Sequence, residues 1–133
     1  MEEKQVHIVL KGTVVHGKGE GHRHGMPTAN LSLFPGTELP AEGVYGGYSR
    51  VKGEKKLCLT NVGTRPSADS SPEITVETLV LDFSGDLYGE EMALELRYLL
   101  RPVICFAGGL EEVRRQLRRD EERLRALLPA PER

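Results

Sequence analysis

The sequence of 133 residues contains no tryptophan, and aromatic residues make up only 5% of it. A core must therefore consist mainly of leucine and valine. A barrel that binds oligonucleotides by stacking bases on aromatic rings is disfavoured for the same reason. No apolar run approaches the roughly 18 residues of a transmembrane helix. The charged residues 1–5 are not followed by an apolar segment, so no signal peptide is expected.

Charge and cysteine content also limit which partners and which cysteine chemistry are expected. The formal net charge is only −2, which gives no electrostatic reason to expect nucleic acid or an anionic membrane as a partner. The two cysteines, Cys58 and Cys105, lie far apart in apolar contexts. This favours reduced, buried thiols in a cytoplasmic protein over a disulfide or a metal pair. The length suits one compact domain over residues 1–133, which we expect to be a monomer.

Apolar, β-branched and alternating segments predict strands at residues 6–16, 43–51, 56–62, 74–83 and 92–101. The last of these alternates most clearly. Its residues Met92, Leu94, Leu96, Tyr98 and Leu100 are predicted to face one way, and Glu95, Arg97 and Arg101 the other.

The segments between the strands are rich in turn-forming residues. Residues 17–42 contain many Gly and Pro and are predicted to be loops, with a short apolar stretch at 31–34. Residues 52–55 have the composition of a hairpin turn, and residues 64–73 are predicted to form a polar loop.

Only after Gly109 does the apolar period become helical, and it ends before Pro129. We therefore predict one helix over about 109–128. Its six arginines are nearly balanced by five acids, which indicates a solvated, salt-bridged face and not a nucleic-acid site. Several strands followed by a single helix predict a mainly β fold, a small antiparallel barrel with the helix packed on it.

A glycine-rich segment follows the first predicted strand. Glycines at positions 17, 19, 21 and 25 would allow backbone N–H groups to approach phosphate oxygens closely, although the same composition also suits a plain hairpin loop. Two common phosphate-binding motifs do not fit. Gly19 stands where a P-loop has its hydroxyl residue, and His22 stands where the dinucleotide fingerprint requires glycine.

The run at residues 26–30, Met-Pro-Thr-Ala-Asn, is more informative. In an extended segment the side chains of Thr28 and Asn30 point the same way. Both supply neutral oxygen ligands, which suit a Mg²⁺ ion that also takes water and nucleotide phosphates. Taken alone, the run is a turn motif as often as a site.

Together, these motifs resemble the signature of the riboflavin kinase family. Six segments match that family in order: Gly25-Met26-Pro27-Thr28-Ala29-Asn30, Gly43-Val44-Tyr45, Thr60-Asn61-Val62-Gly63-Thr64-Arg65-Pro66 (followed by Ser67 in place of a threonine), Glu77-Thr78 with Leu81-Asp82-Phe83, Asp86-Leu87-Tyr88-Gly89, and Leu100-Arg101-Pro102 with Phe106. Asp120 fits an acid in the family's terminal helix. The resemblance implies a six-stranded, Greek-key-like barrel with a C-terminal helix, and Mg²⁺-dependent phosphoryl transfer from ATP to riboflavin.

The resemblance also implies roles for individual residues. Glu77 is expected to be the catalytic base, and Thr28 and Asn30 to hold the metal and the phosphates. Arg101 and Ile104 are expected to contact the flavin. The expected nucleotide-binding residues are Gly17, Gly19, Gly21, His22, Arg23, Thr28, Asn30, Val80, Asp82 and Tyr88. On the residues alone, Glu77 and Arg101 would instead be interpreted as solvent-facing strand residues.

Some positions depart from the family pattern. Leu79 replaces a histidine, Val103 and Ile104 replace polar residues, and His22 and His24 replace an arginine and a leucine. The departures at Leu79, Val103 and Ile104 favour one alternative, a catalytically silent flavin- or nucleotide-binding regulatory module. The adenylyltransferase domain fused to many bacterial members is not expected, since only a few residues precede Gly12.

Overall fold

The computed structural model describes residues 2–16, 28–66, 72–103 and 109–131. Six strands form in chain order: β1 (Lys4–Val15), β2 (Ala29–Leu33), β3 (Gly43–Val51), β4 (Glu54–Pro66), β5 (Pro72–Val80) and β6 (Glu91–Arg101). One helix follows them, α1 (Leu110–Leu127). Among the described residues, no helix is long and apolar enough to cross a membrane.

The strands close into a barrel in the order β1-β2-β5-β4-β3-β6, and every neighbouring pair is antiparallel. The predicted six-stranded barrel with a C-terminal helix is therefore confirmed. β2 has only five residues, but it pairs with both β1 and β5 and so closes the barrel. β1 begins two residues earlier than expected, and α1 lies within a residue of each predicted end.

Three boundaries differ from the sequence-based expectation. Residues 29–33 form a strand where mostly loop was predicted, because β1 and β5 supply hydrogen-bonding partners on both sides. The predicted polar loop at 64–73 is shorter, because Thr64 pairs with Ile74 and the β4–β5 ladder continues into the polar residues. β5 ends at Val80 and not at residue 83.

The hairpin between β3 and β4 is also tighter than predicted. Its turn consists of Lys52 and Gly53, which both have positive φ angles of 53° and 76°. Two successive residues in this conformation match the right-handed twist of paired strands. Glu54 and Lys55, which were predicted to belong to the turn, are the first residues of β4.

The core has two parts; leucine and valine dominate the first, and leucine dominates the second. One cluster fills the barrel: Leu10, Val14, Leu31, Tyr45, Val51, Cys58, Val62, Val76, Val80, Leu87, Met92, Leu94 and Leu96. The second cluster lies between the outside of the barrel and α1: Tyr48, Leu57, Leu59, Leu81, Leu100, Leu124 and Leu128. The helix therefore covers one outer face of the barrel.

The alternation predicted for β6 is wrong in its second half. Met92, Leu94 and Leu96 belong to the barrel core, whereas Tyr98 and Leu100 pack in the cluster under the helix. The β3–β6 register shifts twice in this stretch, between Gly46 and Gly47 and again between Val44 and Tyr45. Each shift inserts an extra residue into β6, and such bulges turn the following side chains to the other face.

α1 can pack closely on β3 because Gly46 has no side chain. A Cβ atom at Gly46 would lie 2.7 Å from Cδ1 of Leu124 on α1, so glycine leaves the space that this leucine fills. Beyond the helix, the Tyr48 hydroxyl donates a 2.8 Å hydrogen bond to the Pro129 carbonyl. The helix is therefore held on β3 both by apolar packing and by a polar contact after its last turn.

Candidate active site

A cleft of about 320 Å³ opens beside the ends of β1, β2 and β5. Its lining residues are Val14, Val15, His16, Thr28, Ala29, Asn30, Thr78, Leu79, Val80, Phe83, Ser84, Gly85, Asp86, Leu87 and Tyr88. Four of the predicted nucleotide-binding residues are among them: Thr28, Asn30, Val80 and Tyr88. The fold thus brings together residues that are up to 60 positions apart in the sequence.

Thr28 and Asn30 reach this cleft from the start of β2. Both are half-buried, and both are among the residues that line the cleft. Within the described ranges, no group of three or more His, Cys, Asp or Glu side chains is placed to hold a metal ion. The two neutral oxygens suit a Mg²⁺ ion that takes its other ligands from water and phosphates.

Glu77 is not among the residues that line the cleft, but it lies directly across the ladder from Asn30, which is. On its other side, the opposing residue of β4 is Asn61. Directly opposed residues share a sheet face, with Cβ atoms about 4.5–5.5 Å apart, so the carboxylate stands between two neutral amide side chains. The predicted base and the predicted metal ligand are therefore neighbours, which their separation of 47 positions in the sequence does not show.

The register recorded between β2 and β5 consists of two pairs, Ala29 with Thr78 and Asn30 with Glu77. Thr78 faces inwards, and its hydroxyl lies 2.8 Å from that of Thr60 and donates to the Leu59 carbonyl at 3.2 Å. These buried bonds fix β5 at the position next to Glu77.

The thiol of Cys58 ends this buried polar chain, 3.7 Å from the Thr60 hydroxyl. Burial raises the pKa of Cys58 to about 11, because a thiolate is poorly solvated inside the barrel. The thiol is therefore protonated at neutral pH. The predicted reduced, buried state is confirmed for Cys58, while Cys105 lies outside the described residues.

The turn after β5 forms one wall of the cleft. The Asp86 carboxylate accepts a 2.9 Å hydrogen bond from the Tyr88 N–H, and the Gly89 N–H donates to the Val14 carbonyl at 2.9 Å. Leu87 is buried in the barrel core. The turn is thus fixed both within itself and against β1.

Tyr88 stacks on His16 in this wall, with ring centroids 3.7 Å apart and an interplanar angle of 16°. His16 is not among the site residues predicted from the sequence. The only available signal was its position at the end of the first predicted strand, immediately before the glycine-rich segment. Its ring reaches the site because the turn after β5 folds back onto β1.

A second cavity of about 320 Å³ lies next to the cleft. It shares Val15, His16 and Asn30 with the cleft and is otherwise lined by residues of β2, β5 and Leu39. Asn30 is therefore accessible from two adjacent spaces.

Asp82 is placed elsewhere. Its carboxylate accepts hydrogen bonds from Arg125 of α1 at 3.1 and 3.2 Å, on the helix side of the barrel, and it is not part of the cleft lining. Its predicted contact with the nucleotide stays a prediction.

Arg101 is paired with Asp120 of α1. Its Nε lies 3.0 and 3.1 Å from the two carboxylate oxygens, and its Nη2 lies 2.8 Å from Oδ2. The side chains are only 12% and 4% exposed. Arg101 is therefore not the exposed strand arginine suggested by its residue type alone, and its predicted contact with the flavin stays a prediction.

Several predicted site residues lie outside the described residues: Gly17, Gly19, Gly21, His22, Arg23 and Ile104. Their assigned roles stay predictions.

Comparison with known proteins identifies the family. Residues 4–128 match the family model for riboflavin kinase. The chain belongs to the riboflavin kinase family, which confirms the resemblance found in the motifs.

Two curated relatives and one solved structure show the range of similarity. The chain is 35% identical over 116 residues to a bifunctional riboflavin kinase/FMN adenylyltransferase from Listeria monocytogenes, covering 87% of this chain and 37% of the relative. It is 34% identical over 113 residues to an RNA-binding riboflavin kinase from Bacillus subtilis, covering 84% and 47%. The chain thus spans less than half the length of both relatives.

The solved structure is a riboflavin kinase from Trypanosoma brucei. It superposes with a TM-score of 0.69 over 96% of this chain and 81% of that one, at 22% sequence identity. At this identity the likeness supports the fold alone.

Proposed function

We propose that the chain transfers the γ-phosphoryl group of ATP to the 5′-hydroxyl of riboflavin, producing FMN and ADP in the presence of Mg²⁺ or another divalent metal. The observation that carries the proposal is the pairing of Glu77 with Asn30, a residue that lines the cleft. It places a candidate metal and phosphate ligand next to a carboxylate that can accept a proton. Membership of the family supplies the substrates.

Different residues of the chain have different roles in the proposed in-line displacement. Thr28 and Asn30 would hold the metal ion and orient the triphosphate, and a divalent metal held there would supply neutralisation of the phosphate charge. The Glu77 carboxylate accepts the proton of the ribityl hydroxyl as the hydroxyl oxygen forms the new bond to phosphorus. The bond from phosphorus to the leaving oxygen of ADP breaks in the same step. A positioned base of this kind contributes about 10²–10⁴-fold to the rate.

The cleft walls would hold the nucleotide. Val80 supplies a buried apolar surface, and the stacked rings of His16 and Tyr88 supply a flat one. The glycine-rich segment would cover the phosphates with its backbone N–H groups. We assign Arg101, the last residue of β6, and Ile104 to the flavin.

We infer small-molecule partners only, a monomer and a cytoplasmic location. The arginines of α1 support the absence of nucleic-acid binding, since several are paired with acids: Arg114 with Glu111, Arg123 with Glu3, and Arg125 with Glu121 and Asp82. The RNA binding and the FMN adenylyltransferase activity named for the relatives are properties of those proteins.

A second candidate is a silent flavin- or nucleotide-binding module. It is favoured by Leu79, which packs half-buried against the cluster under the helix, and by Val103, an apolar side chain that is 43% exposed. Both stand where the family pattern has polar residues.

One experiment separates the two candidates. The purified chain is incubated with riboflavin, ATP and Mg²⁺, and products are separated by chromatography. FMN and ADP formed in equal amounts, and lost when EDTA is added, support the kinase. Flavin or nucleotide binding without any FMN under several divalent metals supports the silent module. Formation of FAD by the clean 133-residue chain would contradict the single activity.

A further inference from the structure

The outer face of β4 and β5 changes from apolar to polar halfway along the two strands. Its apolar half packs in the cluster under α1 and consists of Leu57, Leu59, Leu79 and Leu81. Beyond these leucines the face is polar, and the directly opposed pairs are Asn61 with Glu77 and Gly63 with Thr75. None of these four residues belongs to either core cluster. The helix therefore covers the apolar half of the face, and the polar half serves no apolar packing.

Gly63 has no evident role in the fold. Glycine weakens the interior of a strand unless a bulge, a bend or a close approach requires it. The β4–β5 register runs without a shift from Cys58 to Pro66, so Gly63 does not form a bulge. It is not among the glycines with positive φ, and an added Cβ atom would make only ordinary contacts, at 3.4 and 3.6 Å.

The other glycines of the described strands differ from Gly63 in this respect. An added Cβ atom would lie between 1.9 and 2.7 Å from its nearest neighbour at Gly12, Gly43, Gly46 and Gly47. Close packing therefore requires glycine at each of these positions. Among the described strand residues, Gly63 is the one glycine without such a contact. Glycine in a strand also marks places where a ligand approaches the backbone closely, and this explanation remains for Gly63.

The groups around Gly63 indicate what such a ligand carries. The position that a Cβ atom would occupy lies 3.4 Å from the Asn61 amide nitrogen and 3.6 Å from the Thr75 hydroxyl oxygen. A hydroxyl group of a ligand lying just above Gly63 is therefore within reach of both. Asn61, Thr75 and Glu77 are half-buried around the buried glycine, so the position without a side chain is a low point between them.

The chemistry of this surface suits a neutral, hydroxylated chain. An amide and a hydroxyl can both donate and accept hydrogen bonds, and the four positions carry no cation that would attract a phosphate group. Glu77 stands at one end, next to Asn30 of the nucleotide cleft. Thr75 also lines the second cavity, so open space lies beside it.

We propose that Asn61, Gly63 and Thr75 bind the phosphoryl acceptor by its hydroxylated chain. Asn61 and Thr75 hold hydroxyl groups of the chain, and Gly63 lets the chain lie against β4. The terminal hydroxyl then meets the Glu77 carboxylate. The inference rests on the proposed function, in which Glu77 is the base and riboflavin is the acceptor. Asn61 and Thr75 are thus residues that select the acceptor by its ribityl chain.

The test compares riboflavin with lumiflavin, which has the same ring system but a methyl group in place of the ribityl chain. Dissociation constants are measured for both flavins by fluorescence and for MgADP by calorimetry, together with KM for riboflavin and MgATP. The variants are Asn61→Ala, Thr75→Val, Gly63→Ala and Gly63→Val. The matched control is Thr13→Val, because Thr13 is also a half-buried strand threonine and lines neither cavity. Thermal melts show which variants are folded.

We expect Asn61→Ala and Thr75→Val each to weaken riboflavin binding by about three- to tenfold, as for the loss of one hydrogen bond. Gly63→Val should weaken it by about tenfold or more, because its side chain occupies the place of the ligand chain. Gly63→Ala should act in the same direction but less strongly, without any loss of thermal stability. The affinities for lumiflavin and MgADP, the KM for MgATP and the control should be unchanged.

The opposite results overturn the inference. Wild-type riboflavin affinity in both Gly63 variants would show that no ligand lies against β4. Equal losses for lumiflavin would show that these residues do not recognise the chain, and equal losses for MgADP would indicate a general disturbance of the fold.

Failure of the inference is distinguishable from failure of the proposed function. A wild-type chain that makes FMN, with variants that bind riboflavin normally, overturns only the inference. A wild-type chain that makes no FMN overturns the proposed function, while a loss of riboflavin affinity specific to the variants would still support the binding surface. A wild-type chain that binds no riboflavin overturns both.

Discussion

The docking of α1 depends on the missing side chain at Gly46, and substitution with alanine tests this directly. The added methyl group would lie 2.7 Å from Cδ1 of Leu124 and 3.3 Å from Cδ1 of Leu100. Both leucines are completely buried, so neither can turn into solvent to relieve the contact. The helix or its side chains must shift instead.

The expected size of the effect follows from two opposing terms. Inserting a methyl group into a packed core costs about 1–3 kcal/mol, and replacing glycine in an allowed conformation gains about 0.4–1 kcal/mol from the unfolded state. We therefore expect Gly46→Ala to lower the free energy of unfolding by roughly 0.5–2 kcal/mol. For a domain of this size, Tm should fall by about 2–8 °C.

Urea and thermal denaturation followed by circular dichroism would measure the change. Gly63→Ala is the matched control on the neighbouring strand, since the nearest atoms to its added Cβ would lie at 3.4 and 3.6 Å. Without a steric cost, its free energy of unfolding should stay the same or rise by up to about 1 kcal/mol. Leu124→Ala alone should cost about 2–5 kcal/mol. Combined with Gly46→Ala it should cost less than the sum, because the new methyl group occupies part of the cavity. Wild-type stability of Gly46→Ala, or strict additivity in the double variant, would refute this account of helix docking.

Three further predictions concern the site. Glu77→Gln keeps the shape of the side chain and removes the proton acceptor, so kcat should fall by about 10²-fold or more with little change in riboflavin binding; a near-normal kcat would remove Glu77 from the mechanism. Asn30→Ala should raise the KM for MgATP, and extra Mg²⁺ should partly restore activity, whereas an effect that Mg²⁺ does not relieve would argue against a metal ligand. In a Cys105→Ser background, Cys58 should resist thiol reagents at pH 8 until the protein unfolds, because burial raises its pKa to about 11. In the unfolded protein the Cys58 thiol ionises near pH 9. The contribution of the buried, protonated thiol to the free energy of unfolding is therefore complete below pH 9 and is lost as pH rises from about 9 towards 11. Rapid labelling of the native protein would contradict the buried position.

Local patterns in the sequence determined the type of most elements. The hydrophobic period separates α1 from the strands before it, and the β-branched run of β5 predicts a strand without reference to any partner. The motif at residues 26–30 also indicated that Thr28 and Asn30 act together, because alternate residues of an extended segment share a face. These features depend on neighbours within a few positions along the chain, and such neighbours are visible in a sequence.

Only the tertiary structure decided which distant residues meet. β2 is a strand because β1 and β5 flank it, and the same pairing sets Asn30 opposite Glu77. The two bulges of β6 turn Leu100 and Arg101 towards the helix, which a strict alternation excludes. The stacking of His16 on Tyr88 and the burial of Arg101 with Asp120 likewise arise from closure of the barrel and docking of α1. Register, bulges and buried charge pairs depend on the energy of contacts between segments far apart in the chain, so the local pattern of either segment does not specify them.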